Sequence, residues 1–254
     1  MSDLPKTLPH RGLLIMDWGI GGLGAYNAVR QLRPDLDIIY LSDAGQVPYG
    51  KMAPDVLQAR IQHILQWAAR ADLSGVIIAC NAASTALPGC TLPLPTTGVI
   101  APAITHIKGW PKQHLGVIGG ERTIASMAYE APLVEAGFTV SARVAQPLSA
   151  IIEAGAHHEA HARPAFEAFL DGLAVVDTLV LACTHYIAAV DVIASIVPDV
   201  QCFDPVDACV QLATSAWSLP EGQGRTHFIT TGPVEQMVRS AKLAFGVQID
   251  AVYS

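Results

Sequence analysis

The sequence predicts an α/β fold made of two similar halves, each a parallel sheet with helices on both faces. Three observations carry this. Short apolar runs alternate with helix-period stretches, the runs are rich in Val and Ile, and the whole pattern returns after about a hundred residues. Strands covered on both faces read as continuous apolar runs, and βαβ alternation lays such strands parallel.

The elements can be taken in chain order. LLIMDWG (13–19) reads as a strand and precedes an amphipathic stretch near 23–32. DIIYLSD (37–43) is a second strand, followed by a helix near 54–71. GVIIAC (75–80) is a third, ending in a run of small residues. The rhythm then returns. LGVIGGERTI starts 102 residues after LLIMDWGIGG, FTVSARVA starts 101 after DIIYLSDA, and Cys183 of LVLACTHY lies 103 after Cys80 of GVIIACNAAS. Three near-constant offsets in succession point to a duplication. The seam, LPLPTTGVIAPAITHIKGWPKQH (92–114), is rich in proline. Beyond Asp207 the chain makes one more helix, near 207–217. THFITTGPVEQMVRSAKLAFG then reads as a strand, a turn and a helix that return to the first half. The expected division is 12–106 plus 218–254 for the first domain and 107–217 for the second.

Composition narrows the function. With 254 residues, 51% hydrophobic and 15% charged, the chain has ample material for a core. A net charge of −7 without a dense Lys/Arg cluster argues against a nucleic-acid binder. The first apolar run, LLIM, is too short for a signal or a membrane span, so a cytoplasmic location is expected. Five cysteines without a CxxC pair fit reduced thiols, neither a disulfide scaffold nor a zinc site.

Cys80 and Cys183 end matching strands, where ligands bind in α/β sheets. A lone buried cysteine is ordinarily an inert small hydrophobe. Two at equivalent positions, each followed by a polar residue, suit a different task. Inverting a carbon beside a carboxylate needs a base on one face and an acid on the other, and thiolate and thiol serve as such a pair. Asn81 and Thr184 follow the two cysteines and can cap the next turn or help hold a carboxylate. Asp17 and His185 can assist proton transfer.

Other motifs carry less. VPYGK (47–51) places Pro48, Tyr49 and Gly50 in a loop at the carboxyl side, as an ordinary turn or as a cleft wall offering a Tyr hydroxyl. Thr123 of GGERTIAS stands near a helix start, as a cap or an anion contact. GIGGLG (19–24) formally matches the dinucleotide pattern, yet neither Asp37 nor Asp43 cleanly ends a second strand as the ribose-binding acid should. His157 and His161 stand four apart on a possible helix, but HExxH and a third ligand are missing, so a solvated surface is expected there and no metal. Cys90, Cys202 and Cys209 read as structural.

The set DWGIGG, PYGK, ACNAAS, GVIAPA, VIGGERTIAS, ACTHY and ITTG resembles, in order and spacing, the glutamate racemases of the aspartate/glutamate racemase superfamily, from about residue 12 to 250. The resemblance implies two α/β domains related by a pseudo-twofold, with the active site between them. It implies cofactor-free interconversion of L- and D-glutamate, the D form serving peptidoglycan, with an acidic amino acid as small-molecule partner and a homodimer as an open assembly. Cys80 and Cys183 match the catalytic cysteines, acting on the D and L substrates respectively. Asp17, His185 and Glu153 match assisting residues. Pro48, Tyr49, Gly50, Asn81, Thr123 and Thr184 match substrate contacts, and Trp18 and Ala82 occupy two further contact positions.

This chain departs from the family pattern at several points. Trp18 replaces a usual Ser, Ala82 and Gly120 replace Thr, Gln146 replaces Cys and Ile187 replaces Pro. Three of these changes remove hydroxyls, each hydrogen bond being worth about 0.5–1.5 kcal/mol. Arg122 reads either as a new carboxylate partner or as an ordinary surface residue. Aspartate racemisation, decarboxylation or isomerisation of a dicarboxylate on the same scaffold, and a ligand-binding homologue without turnover stand as alternatives.

Overall fold

Two sheets, parallel throughout, organise the chain in the computed structural model, which describes residues 4–5, 7–8 and 11–253. The first half runs β1 (Leu13–Asp17), α1 (Leu23–Leu32), β2 (Ile38–Ser42), α2 (Pro54–Arg70), β3 (Gly75–Ile78), α3 (Asn81–Ser84), β4 (Thr96–Gly98) and α4 (Ile100–Lys108). The second runs β5 (His114–Gly119), α5 (Glu121–Ala125), α6 (Glu130–Glu135), β6 (Thr139–Val144), α7 (Gln146–Glu153), α8 (Arg163–Leu170), β7 (Thr178–Ala182), α9 (Val190–Ile196), β8 (Gln201–Phe203) and α10 (Pro205–Ala216). β9 (Thr226–Thr230), α11 (Val234–Phe245) and β10 (Val252–Tyr253) complete the chain.

The strand orders are β10-β9-β2-β1-β3-β4 and β6-β5-β7-β8. The inner order 2-1-3-4 thus recurs as 6-5-7-8, so the sequence offset is a repeat of topology. The C-terminal return is also as expected, since β9 pairs with β2 from Ile38↔Thr226 to Ser42↔Thr230. The proline-rich seam holds more structure than its composition suggests. β4 and α4 both lie within it, and β4 pairs with β3 at the position β8 takes beside β7.

The apolar residues explain the layers. One continuous core lies between the sheets: Leu13, Ile15 and Ile77 meet α1, α4 and α10, which meet Leu115, Val117 and Val180 of the second sheet. Outside, Leu14, Met16 and Val76 bury against Ile61, Ile64 and Leu65 of α2. On the far side Leu179 and Leu181 pack with Ile152, Phe166 and Ile193. Each such side chain contributes roughly 1.5–3 kcal/mol on burial. The inner strands β1, β3 and β7 are buried along their whole length, which is why they read as unbroken apolar runs. No helix among the described residues is long and apolar enough to cross a membrane.

The expected helix through His157 and His161 does not form. Gly155, at φ +73°, closes α7, and 156–162 run as turns. His157 is buried instead of solvated, while His161 is exposed beside Glu159 at 3.1 Å.

Asp204 caps α10, its Oδ1 accepting from the Val206 N–H at 3.0 Å. Burial, with a smaller push from Asp207 and against the Val206 N–H, raises its carboxyl to about 7. The folded state therefore favours the protonated form. Asp204 costs nothing below the unfolded pKa near 4, and stability falls as pH rises through 7. Asp204→Asn keeps the cap without the charge. We expect its Tm to exceed the wild type's by about 4–8 °C at pH 8, a gain of roughly 2 kcal/mol that fades toward pH 4. Equal melting curves at pH 8 would remove this account.

Candidate active site

Strand order reverses between β1 and β3 and again between β5 and β7, and the carboxyl edges at these two switch points face one cleft of about 740 Å³. The cleft is lined by both thiols, Cys80 and Cys183, and by Asp17, Glu153 and His185. Trp18, Pro48, Tyr49, Gly50, Asn81, Ala82, Thr123 and Thr184 line it as well, so every residue singled out for the site meets there.

Cys183 directly follows β7, and its Sγ lies 3.9 Å from His185 Nδ1. The other ring nitrogen, Nε2, is 2.6 Å from Oε2 of Glu153, the last residue of α7. Burial alone would lower the His185 pKa, but hydrogen bonds and charge from Cys183 and Glu153 hold it well above the ordinary imidazole value. The imidazolium is thus the favoured form, within reach of the sulfur.

Cys80 stands between β3 and α3. Burial pushes its thiol well above the usual range, the Asp17 charge adds to this, and the Ala83 and Trp18 N–H groups oppose it. Asp17 ends β1. Burial raises its carboxyl, against the His185 charge, the Gly19 N–H at 3.1 Å and the Thr184 hydroxyl, which donates at 2.9 Å. Thr184 belongs to the second half and Asp17 to the first, so this bond ties the halves together beside the thiols.

Several side chains behave differently from their sequence reading. The Tyr49 hydroxyl turns away from the cleft and donates to buried Asp43, which also holds Arg60 and accepts from Thr231 at 3.0 Å. Tyr49 therefore presents ring and backbone. Arg122 lines the cleft and donates to the carbonyls of Tyr49, at 2.9 Å, and Met52, pinning the 48–52 loop to α5. The Trp18 indole donates to the Gln46 carbonyl at 2.9 Å, which fixes its ring as part of the wall. At Gly120 a Cβ would stand 2.7 Å from Gln146 Oε1. The Gln146 carboxamide, held by the Glu121 N–H at 3.3 Å and by Ser149 at 3.2 Å, thus occupies the room of the missing Thr side chain.

The dinucleotide reading of GIGGLG finds no support. A Cβ on Gly21 would lie 2.3 Å from Thr184 Oγ1 and 2.8 Å from His185 Nδ1, so this glycine admits the tip of β7 and leaves no room for phosphates. Asp37 is spent on Arg225 and Asp43 on Tyr49 and Arg60. Among the described residues no three His, Cys, Asp or Glu side chains gather to hold a metal.

Sequence reasoning missed one part of the wall and one support behind it. Glu235, Gln236, Arg239 and Ser240 of α11 form its outer side, for which the only signal was the predicted return of the C-terminal segment. Tyr129, just before α6, donates to Asn81 Oδ1 at 2.7 Å, a contact without any local sequence signal.

Fold and site together define a two-sheet α/β protein with two thiols in a shared cleft. The profile of the Asp/Glu/hydantoin racemases matches residues 25–213. The chain belongs to this family. A glutamate racemase from Picosynechococcus is 31% identical, over 92% of this chain and 88% of that protein. One from Thermus thermophilus is 29% identical over 96% of each. The crystal structure of a Thermus thermophilus glutamate racemase, in complex with β-chloro-D-alanine, superposes with a TM-score of 0.82 at 27% identity, covering 96% of both chains. A Bacillus anthracis glutamate racemase isoform gives 0.85 at 26%, over 96% of this chain and 97% of the other.

Proposed function

We propose that this chain racemises glutamate by two-base proton transfer, with Cys80 and Cys183 as the bases. The observation that carries the reading is the pair of thiols at equivalent strand tips of one cleft, each beside its own acid–base partner. The thiolate on one face takes the Cα proton, and the electron pair passes into the α-carboxylate. The thiol on the other face then delivers its proton to Cα, so the two sulfurs end with exchanged proton states. Cys80 serves the D enantiomer and Cys183 the L. His185, oriented by Glu153, and Asp17 restore the sulfurs for the next turnover. Asn81, Thr123, Thr184 and the 48–50 loop hold the substrate, with Trp18 and Ala82 shaping its wall. The acting protein is cytoplasmic, supplies D-glutamate for peptidoglycan, and comprises the domains 12–106 plus 218–254 and 107–217.

The test is direct. L- or D-glutamate incubated with the protein in D₂O converges on the racemate with deuterium at Cα. Absence of both changes from either enantiomer overturns the reading. Aspartate in the same panel decides whether the hydroxyls missing at 18, 82 and 120 have moved the preference.

A further inference from the structure

The amide of Asn81 has an unusual balance of partners. Asn81 is 3% exposed, and its Oδ1 accepts a hydrogen bond from the Tyr129 hydroxyl at 2.7 Å. Its Nδ2 is buried without any partner among the described residues, although Asn81 lines the cleft next to Cys80. Buried donors are nearly always satisfied, so an unpaired one at a cleft wall calls for an acceptor from outside the protein. A carboxylate supplies one.

An asparagine amide can turn by 180° and present its oxygen in place of its nitrogen. Toward a carboxylate the two faces are opposite in sign, and one of them repels. What selects the face here is Tyr129, 2% exposed and contributed by the other half of the molecule. Among the described residues its hydroxyl has no acceptor besides Asn81 Oδ1. Turning the amide would strand the phenol proton in a buried place and point Oδ1 at the substrate. The backbone supports this delivery. Two residues before Tyr129, Met127 holds φ +53°, a left-handed conformation costly for a side chain of this kind, while that side chain itself stays half exposed. The bend between α5 and α6 places Tyr129 against Asn81 and leaves Met127 half exposed.

We infer that Tyr129 is a positioning residue for the reaction: it fixes Asn81 so that Nδ2 donates to a carboxylate of the substrate beside Cys80. This rests on the racemase reading and adds to it a residue from the opposite half, remote in sequence from both thiols.

The test is a double-mutant cycle of wild type, Tyr129→Phe, Asn81→Ala and the pair, read by KM and kcat for both glutamate enantiomers and by Tm. Tyr129→Phe removes one oxygen and keeps the ring. We expect KM to rise about tenfold in both directions, with kcat within about threefold, because the lost contact holds ground and transition states alike. In the Asn81→Ala background the same change should add less than about twofold, since there is no amide left to orient. Losses that multiply in full, or an unchanged KM in Tyr129→Phe, overturn the proposal. If the Phe variant does not fold, 3-fluorotyrosine at 129 replaces it. As a stronger donor of nearly the same shape it should leave KM equal or lower, and a KM raised severalfold counts against the proposal. Should wild type prove inactive on glutamate, the racemase reading fails separately, and Tyr129 is judged by the Tm shift that D-glutamate produces across the same proteins. A wild type neither turned over nor stabilised by glutamate ends both.

Discussion

Cys80→Ser and Cys183→Ser each lower glutamate racemisation by about 10³-fold or more, while Tm stays within a few degrees of wild type. General acid–base groups contribute about 10²–10⁴-fold, and a serine hydroxyl is far too weak an acid to be ionised here. The proposed roles make the two losses different in kind. With Cys183 replaced, the Cys80 face still works: D-glutamate exchanges its Cα proton for deuterium and returns to solution as D-glutamate, while L-glutamate is inert. With Cys80 replaced, the pattern is reversed. Such mirror-image exchange cannot come from a general loss of binding or folding, which would depress both enantiomers together. Racemisation near the wild-type rate in either variant would remove that sulfur from the mechanism. Symmetric residual exchange in both would keep the thiols but undo the assignment of faces.

The pairing of the two thiols was readable in the sequence because a repeat preserves spacing, and Cys80 and Cys183 keep the spacing of their strands. β1, β3 and β7 were readable because burial on both faces leaves an unbroken apolar run. β4 and β8 were not: each is three residues long, and β4 lies among prolines that locally argue against a strand. The His157–His161 spacing suggested a helix because periodicity alone does not show that Gly155 has already ended one. The contacts that assemble the cleft were the least visible. Thr184 reaches Asp17 across 167 residues and Tyr129 reaches Asn81 across 48, and neither pair has a pattern that local propensity could reveal. Tyr49 shows a related limit. Its place in the wall followed from the motif, but the direction of its hydroxyl depended on Asp43, a buried acid that the sequence offered only as a weak ribose-binding candidate.

Gly21→Ala is expected to lower kcat/KM by about 10²-fold or more, an effect out of proportion to one methyl group on a helix approach. The added Cβ would sit 2.3 Å from Thr184 Oγ1, 2.8 Å from His185 Nδ1 and 3.0 Å from its Cε1. Neither side chain can yield without consequence. Thr184 holds Asp17 at 2.9 Å, and His185 is fixed between Cys183 at 3.9 Å and Glu153 at 2.6 Å. The tip of β7 must therefore shift as a unit, and a displacement of about 1 Å in a reacting group costs on the order of 10²-fold. Overpacking adds a stability loss of about 1–3 kcal/mol, visible as a Tm lower by several degrees but not as unfolding. Gly24→Ala provides the contrast within the same motif. Its Cβ would meet Ile187 Cγ2 at 3.4 Å and Phe245 Cε1 at 3.8 Å, ordinary contacts, so kcat/KM should stay within about threefold. A phosphate-binding loop would need the first of these two for backbone approach to the pyrophosphate and the second for close helix–strand packing, and would not separate them this way. Equal losses at 21 and 24 would return the motif to that reading. A large loss at 21 alone means that the glycine is there to let the second thiol's strand reach the first thiol's acid.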